Sequence, residues 1–172
     1  AALEARAQEL ERVAQALDHD VDQLVWALRP TALDDLGLRA ALANYVQDWS
    51  GRVGVTAELH TAGLAAERLS TEVETTLYRI AQEALTNVAK HARARNVAVL
   101  LDRRADHVSL VIEDDGVGFD PATRTSTRDG SFGLLGMQER AALVGATLEI
   151  ESAVGRGTSI IVRIATSREP RA

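Results

Sequence analysis

Residues 107–118 read His107-Val108-Ser109-Leu110-Val111-Ile112-Glu113-Asp114-Asp115-Gly116-Val117-Gly118. The apolar run from Val108 to Ile112 has the length and β-branched content of a buried strand. It ends in two carboxylates and two glycines spaced by one residue. Asp-Gly is a common turn dipeptide, so a plain acidic turn is the bland reading. A carboxylate at a strand end beside glycines that let a flat ligand approach the backbone is the sharper one.

Working outward, 96–102 is a second strand, joined to 107–113 by a polar turn at Ala105-Asp106. Strands at 146–152 and 158–164 are joined through Gly155-Arg156-Gly157. Strands linked by tight turns are antiparallel neighbours. Between them a glycine-bearing loop fills 114–132 and a helix is expected over 134–143. Upstream, 70–92 is a long helix whose apolar stripe is Val73, Leu77, Ile80, Ala81, Ala84, Leu85 and Val88. Ser70 or Thr71 can cap it, and Thr71 with Glu74 matches a capping box. Val55 to His60 is a further strand. A helix starts near Asp34 and runs through Trp49, with Gly51 and Gly54 ending it. The resulting fold is α+β, with helices on one face of a sheet.

Residues 1–28 place Leu3, Leu10, Val13, Leu17, Val21, Leu24 and Leu28 on one helical stripe, a bundle or coiled-coil seam. Such a helix is about 40 Å long, and Pro30 stops it. The tail from Thr166 is polar and is expected to fray.

Composition limits what this fold is for. The chain has 172 residues, 46% of them hydrophobic and only 3% aromatic, so its core is aliphatic. Acidic residues outnumber basic ones 25 to 19, a net charge of -6. That balance argues against a nucleic-acid surface, yet backbone amides and one cation can still hold a phosphate chain. With no cysteine, disulfides and thiolate metal sites are excluded. No apolar run is long enough to cross a bilayer, and a cytoplasmic location is the expectation.

Four elements carry candidate chemistry. On the long helix, Glu83, Asn87, Lys90 and His91 form one row. For an arbitrary helix a solvated polar stripe would be the better reading, but Asn and Glu oxygens also suit Mg²⁺, which completes its shell from phosphates and water. A Lys and a His beside them would neutralise phosphate charge. Second, Asp114 with Gly116 and Gly118 offers an acceptor for an exocyclic amine, which adenine carries where guanine has none. Third, Gly133-Leu134-Leu135-Gly136 opens a helix, where free amides cradle phosphate. Fourth, Gly155-Arg156-Gly157-Thr158 precedes the last strand.

Each element alone is ambiguous, but their order resembles the ATP-binding fold shared by DNA gyrase, mismatch-repair ATPases and histidine kinases, over about residues 70–165. The wording of Tyr78-Arg79-Ile80-Ala81-Gln82-Glu83-Ala84-Leu85-Thr86-Asn87-Val88-Ala89-Lys90-His91-Ala92 resembles the asparagine box of the nitrate-sensor class of bacterial sensor histidine kinases. So do Asp114 to Phe119, Gly133 to Arg140, and the junction Leu28-Arg29-Pro30 with Leu33 to Leu38. The resemblance implies a two-layer α/β sandwich of the histidine kinase ATPase type, preceded by an N-terminal bundle helix. It implies a division into 1–30 (second helix of the dimerisation bundle), 31–53 (junction and first catalytic-domain helix), 54–166 (ATP-binding catalytic domain) and 167–172 (tail).

It also implies roles. Asn87 would ligate Mg²⁺, and Asp114 would take the adenine amine with Gly116 and Gly118 lining the base pocket. Lys90 and His91 would lie near the phosphates. Gly133, Leu134 and Gly136 would follow a mobile lid at about 120–132 and present amides to phosphate, and Thr158 would support the pocket beside Asp114. Glu83 matches the water-activating position of the hydrolytic relatives; in a kinase it would polarise the nucleophile or orient a metal-bound water.

The implied partners are ATP, a phosphoacceptor helix in the parent kinase dimer, and a response regulator with a helix-turn-helix output domain, with no nucleic acid and no membrane contact by this stretch. His19-Asp20 superficially resembles the phosphoacceptor box, but Leu28 follows His19 by only nine positions, too few for the turn and second helix that the family places there. The chain is therefore expected to be unable to autophosphorylate. His60 and His107 fall in strands and read as structural or surface residues. Two rivals stand beside this reading. A serine kinase of the anti-sigma-factor type would lack the amphipathic helix and the Leu-Arg-Pro junction. A degenerate scaffold would have lost nucleotide binding, against which the retained Asn87, Asp114 and paired glycines speak.

Overall fold

The computed structural model describes Arg6 and residues 30–63, 68–121 and 131–166. The chain divides into two compact units, Ala1–Thr31 and Ala32–Ala172. The expected bundle helix, with His19, lies outside the described residues, as does most of the expected lid.

The second unit is built on a five-stranded sheet in the order β1-β2-β3-β5-β4. Its strands are β1 (Thr56–Ala62), β2 (Asn96–Arg103), β3 (His107–Asp114), β4 (Ala146–Ser152) and β5 (Thr158–Ala165). β2 to β5 pair antiparallel, whereas β1 and β2, with a helix between them in sequence, pair in parallel. Parallel neighbours need such a crossover. His60 and His107 lie on β1 and β3, beside Glu58 at 3.4 Å and Asp106 at 2.8 Å.

Alternation decides which face of the sheet is covered. Val97, Val99 and Leu101 of β2, Val108, Leu110 and Ile112 of β3, and Ile160, Val162 and Ile164 of β5 are all buried. The register aligns them in rows, such as Val99 opposite Ile112 opposite Ile160. Each side chain of this size contributes about 1.5–3 kcal/mol on burial.

Three helices complete the layer: α1 (Thr31–Val53), α2 (Thr71–Asn87) and α3 (Ser131–Leu143). α2 buries Leu77, Ile80, Ala81, Ala84 and Leu85, the stripe read from the sequence. α3 packs on α2 and β4. Tyr45 of α1 meets Tyr78 of α2 edge to face, with centroids 5.7 Å apart.

Four local details depart from the sequence expectations. α1 begins at Thr31 and is broken at Gly37, whose φ of 73° and ψ of 169° no helix admits; it then runs through Gly51 and ends only before Gly54. The cap of α2 is Ser70, which accepts the Val73 N–H at 3.4 Å. Counting from that cap, Glu74 is one residue too late for a capping box. It is buried instead against Arg68, whose guanidinium donates to both its oxygens at 3.4 and 3.2 Å. The same guanidinium donates to the carbonyls of Leu33 and Asp34, in the turn before the break at Gly37. Finally, the long helix does not stay α to its end. Val88–Ala92 forms a π-helical turn, and Arg93 at φ 52° reverses the chain toward β2. Such turns are frequent at functional sites.

Candidate functional site

A cavity of about 100 Å³ opens where α2, the carboxyl end of β3, the following loop, the start of α3 and the beginning of β5 converge. Its walls are apolar: Ala84, Val88 and Ala92 on the helix side, and Ile112 and Ile160 on the sheet floor. Asn87, His91, Asp114 and Thr158 supply the polar groups, with Gly118, Phe119 and Leu134 closing the rim. An apolar slot with a few convergent polar groups is the usual form of a small-molecule site.

The two neighbouring aspartates have opposite jobs. Asp115 faces outward and ties the loop to β2. Its Oδ1 accepts the backbone N–H groups of Arg95 and Asn96 at 2.7 and 2.9 Å, and its Oδ2 accepts the Asn96 side-chain amide at 2.7 Å. These bonds, those from Asn96 foremost, hold its carboxyl below the usual range. Asp114 faces the cavity. Burial pushes its carboxyl up, and the N–H groups of Gly116 and Thr158 pull it partly back. The Gly116 amide is 2.8 Å from Oδ1. An acid held this way is a partly desolvated acceptor.

The loop that follows is fixed by backbone. Val117 N–H donates to the Ala92 carbonyl at 2.8 Å, at the end of the π turn. Gly116 lies so close that a Cβ there would stand 2.7 Å from the Ala92 side chain. Gly116 therefore stands beside the cavity rather than in its lining, aiming Asp114.

On α2, Asn87 Nδ2 donates to Glu83 Oε1 at 3.4 Å. A carboxylate only accepts, so the amide must present its nitrogen to Glu83, which leaves Oδ1 as the oxygen available on the other side. Gly133 stands over this pair. A Cβ there would fall on Glu83 Oε1 and come within 3.7 Å of Asn87 Nδ2. Gly136 lies one turn further on against Arg140. Lys90 is exposed and is not among the cavity residues.

Sequence reasoning missed the apolar walls, Phe119 and Ser152. Ser152, at the end of β4, accepts the Phe119 N–H at 2.9 Å and lies 3.0 Å from both the Gly157 carbonyl and the Thr158 hydroxyl. The signal was available in the hairpin, since a turn centred on Gly155 sets Ser152 opposite Thr158.

A half-open slot beneath a long helix, with an acid at a strand end and glycines packed around it, defines an ATPase-type nucleotide fold. Residues 72–168 match the histidine kinase-, DNA gyrase B- and HSP90-like ATPase family, and the chain belongs to that family. Among its relatives is an uncharacterised sensor-like histidine kinase of Chloroflexus aurantiacus, 40% identical over 92% of this chain and 27% of the relative. The signal transduction histidine-protein kinase/phosphatase DegS of Brevibacillus brevis is 36% identical over 94% of this chain and 41% of its own length. The oxygen sensor histidine kinase NreB of Staphylococcus carnosus is 37% identical over 90% and 44%. The chain thus spans less than half the length of these relatives. The histidine kinase domain of the blue-light activated kinase of Erythrobacter litoralis shares the fold at a TM-score of 0.59 and 20% identity, over 74% of this chain and 60% of that one.

Proposed function

We propose that this chain is the ATP-binding catalytic part of a two-component sensor histidine kinase and delivers the ATP γ-phosphoryl group to a histidine on the dimerisation bundle of its parent. The carrying observation is that a half-buried Asp114 carboxylate shares one apolar-walled cavity with Asn87, whose amide nitrogen is turned to Glu83. Adenine enters the slot with its amine on Asp114. The phosphates extend toward Asn87, His91 and the first turn of α3, which begins at Ser131, so Gly133 and Leu134 lie where amides lack helical acceptors, while Gly136 sits a turn too far in to offer its own. Lys90, exposed on the same helix, adds positive charge at the outer end.

The donors fit Mg²⁺. The Asn87 oxygen would hold such a cation, which would complete its shell from phosphate and water. When bound, it neutralises charge on the phosphates. The protein's own part is placement, which is most of what phosphoryl transfer requires. In the transfer, the bond from the γ-phosphorus to the bridging oxygen breaks, and ADP leaves with its electron pair. A bond forms to an imidazole nitrogen, and the imidazole proton passes to an acidic neighbour on the acceptor helix. Glu83 holds Asn87 and so positions the phosphates. A response-regulator aspartate, in a protein with a helix-turn-helix output, then takes the phosphoryl group.

The reading is tested by supplying a bundle that carries the phosphoacceptor histidine in trans with radiolabelled ATP. The chain is expected to label it, and Asn87→Ala to reduce labelling about 100-fold or more, the scale of losing a phosphate-positioning contact in a transferase. A folded chain that binds ATP yet never labels any acceptor bundle contradicts the transfer step.

A further inference from the structure

Asp114, Thr158 and Ser152 stand side by side across β3, β5 and β4. The first two line the cavity; Ser152 lies behind them. Its hydroxyl has one proton and two lone pairs to share, and three neighbours claim them. The Phe119 N–H takes one lone pair, at 2.9 Å. The Gly157 carbonyl, 3.0 Å away, has no proton and can be bonded only by the serine's. Gly157 is buried, and its oxygen is walled in so closely that a Cβ on Gly118 would stand 2.6 Å from it. A carbonyl enclosed in this way takes a donor. The serine proton therefore goes to Gly157, and the contact with Thr158 Oγ1 at 3.0 Å must run the other way. Thr158 gives its only proton to Ser152. The opposite polarity would leave the Gly157 oxygen without its serine donor and form one bond where two are available.

We infer that Ser152 is a specificity-determining positioning residue: by holding the Thr158 hydroxyl proton, it makes the pocket beside Asp114 present acceptors alone. This rests on the adenine reading proposed above and deepens it. A purine with an amino group at its 6-position meets two acceptors and supplies two N–H donors. A 6-oxo purine brings a carbonyl oxygen against the same lone pairs and is refused. Asp114 alone leaves a rotatable hydroxyl next door that would turn and donate to the carbonyl. Ser152 removes that escape without touching the ligand.

The test compares ATP with inosine triphosphate, which replaces the 6-amino group by a carbonyl, by calorimetric titration with Mg²⁺. The intact chain is expected to prefer ATP. Ser152→Ala frees the Thr158 proton, so the preference is expected to fall about tenfold, the scale of one hydrogen bond, chiefly through tighter binding of the inosine nucleotide. Ser152→Thr, which keeps a hydroxyl there, is expected to restore it. A serine that merely braces the hairpin would weaken both nucleotides alike, and an unchanged ratio in Ser152→Ala overturns the inference. Should that variant not fold, Thr158→Val removes the lone pairs themselves. It is expected to lower the ratio similarly, and an unchanged ratio there overturns the inference equally. An intact chain that binds ATP and the inosine nucleotide with equal affinity also overturns it and leaves the ATP site standing. An intact chain that binds neither overturns the proposed function, and this inference with it.

Discussion

Asp114→Asn is expected to weaken ATP binding roughly 30- to 100-fold, the scale of losing a hydrogen bond to a charged acceptor and turning an amide N–H₂ toward the base. The fold is expected to keep its stability at neutral pH. The sign follows from the direction of the shift. Burial raises the Asp114 carboxyl above its ordinary value, so the contribution to stability is present at low pH and lost as pH rises through that raised value. At neutral pH the ionised group is a cost of the folded state, and a neutral Asn removes it. Site and fold therefore pull in opposite directions at this residue. Thermal unfolding of the variant should show a midpoint equal to or above the parent's, while titration shows the lost affinity. Binding should also decline on acidification, beginning at a higher pH than an ordinary aspartate would give, because a protonated Asp114 is a weaker acceptor; in the variant that decline should be absent.

The second large effect is at Gly157, where substitution should cost stability rather than ligand contacts. Its φ is 73°, and a Cβ there would fall on the Asp114 carbonyl oxygen and stand 2.9 Å from its carbon. The obstacle is backbone, which cannot swing aside as a long side chain can. Gly157→Ala is expected to lower stability by about 2–4 kcal/mol, combining left-handed strain with overpacking, and to displace Asp114 from the cavity. Gly155 is the control. Its φ is 78°, but nothing lies within 4 Å of a Cβ placed there, so Gly155→Ala should cost only the conformational part, about 1 kcal/mol. Chemical denaturation of the two variants measures the difference. Equal losses would show that close packing of Gly157 on Asp114 contributes nothing.

Much of this arrangement was legible in the sequence because it is local. The strand-like runs at 96–102 and 107–113 and the stripe from Val73 to Val88 placed the strands and the long helix within a few residues. The wording around Asn87 and Asp114 pointed to the site. What escaped depends on contacts between distant segments. Nothing near Glu74 announces that Arg68 will pair with it while also donating to the carbonyls of Leu33 and Asp34. The π turn at Val88–Ala92 keeps the polar spacing of an α-helix in its sequence, and its last carbonyl is bonded by the distant Val117 amide. Two adjacent aspartates look alike on paper, and only the partner strand shows that Asp115 clamps while Asp114 faces in. Ser152 reads as an ordinary polar residue before a turn until the register sets it against Thr158. The helix expected over 1–28, apart from Arg6, and most of the segment expected to form the lid fall outside the described residues.

Titration of the chain with Mg-ATP and Mg-GTP by calorimetry bears most directly on the central claim, that the cavity between α2 and β3 is an adenine nucleotide site. Saturable ATP binding at one site per chain, with GTP much weaker, is the expected result. A folded chain that binds no ATP would contradict the claim and leave the ATPase fold serving as a scaffold.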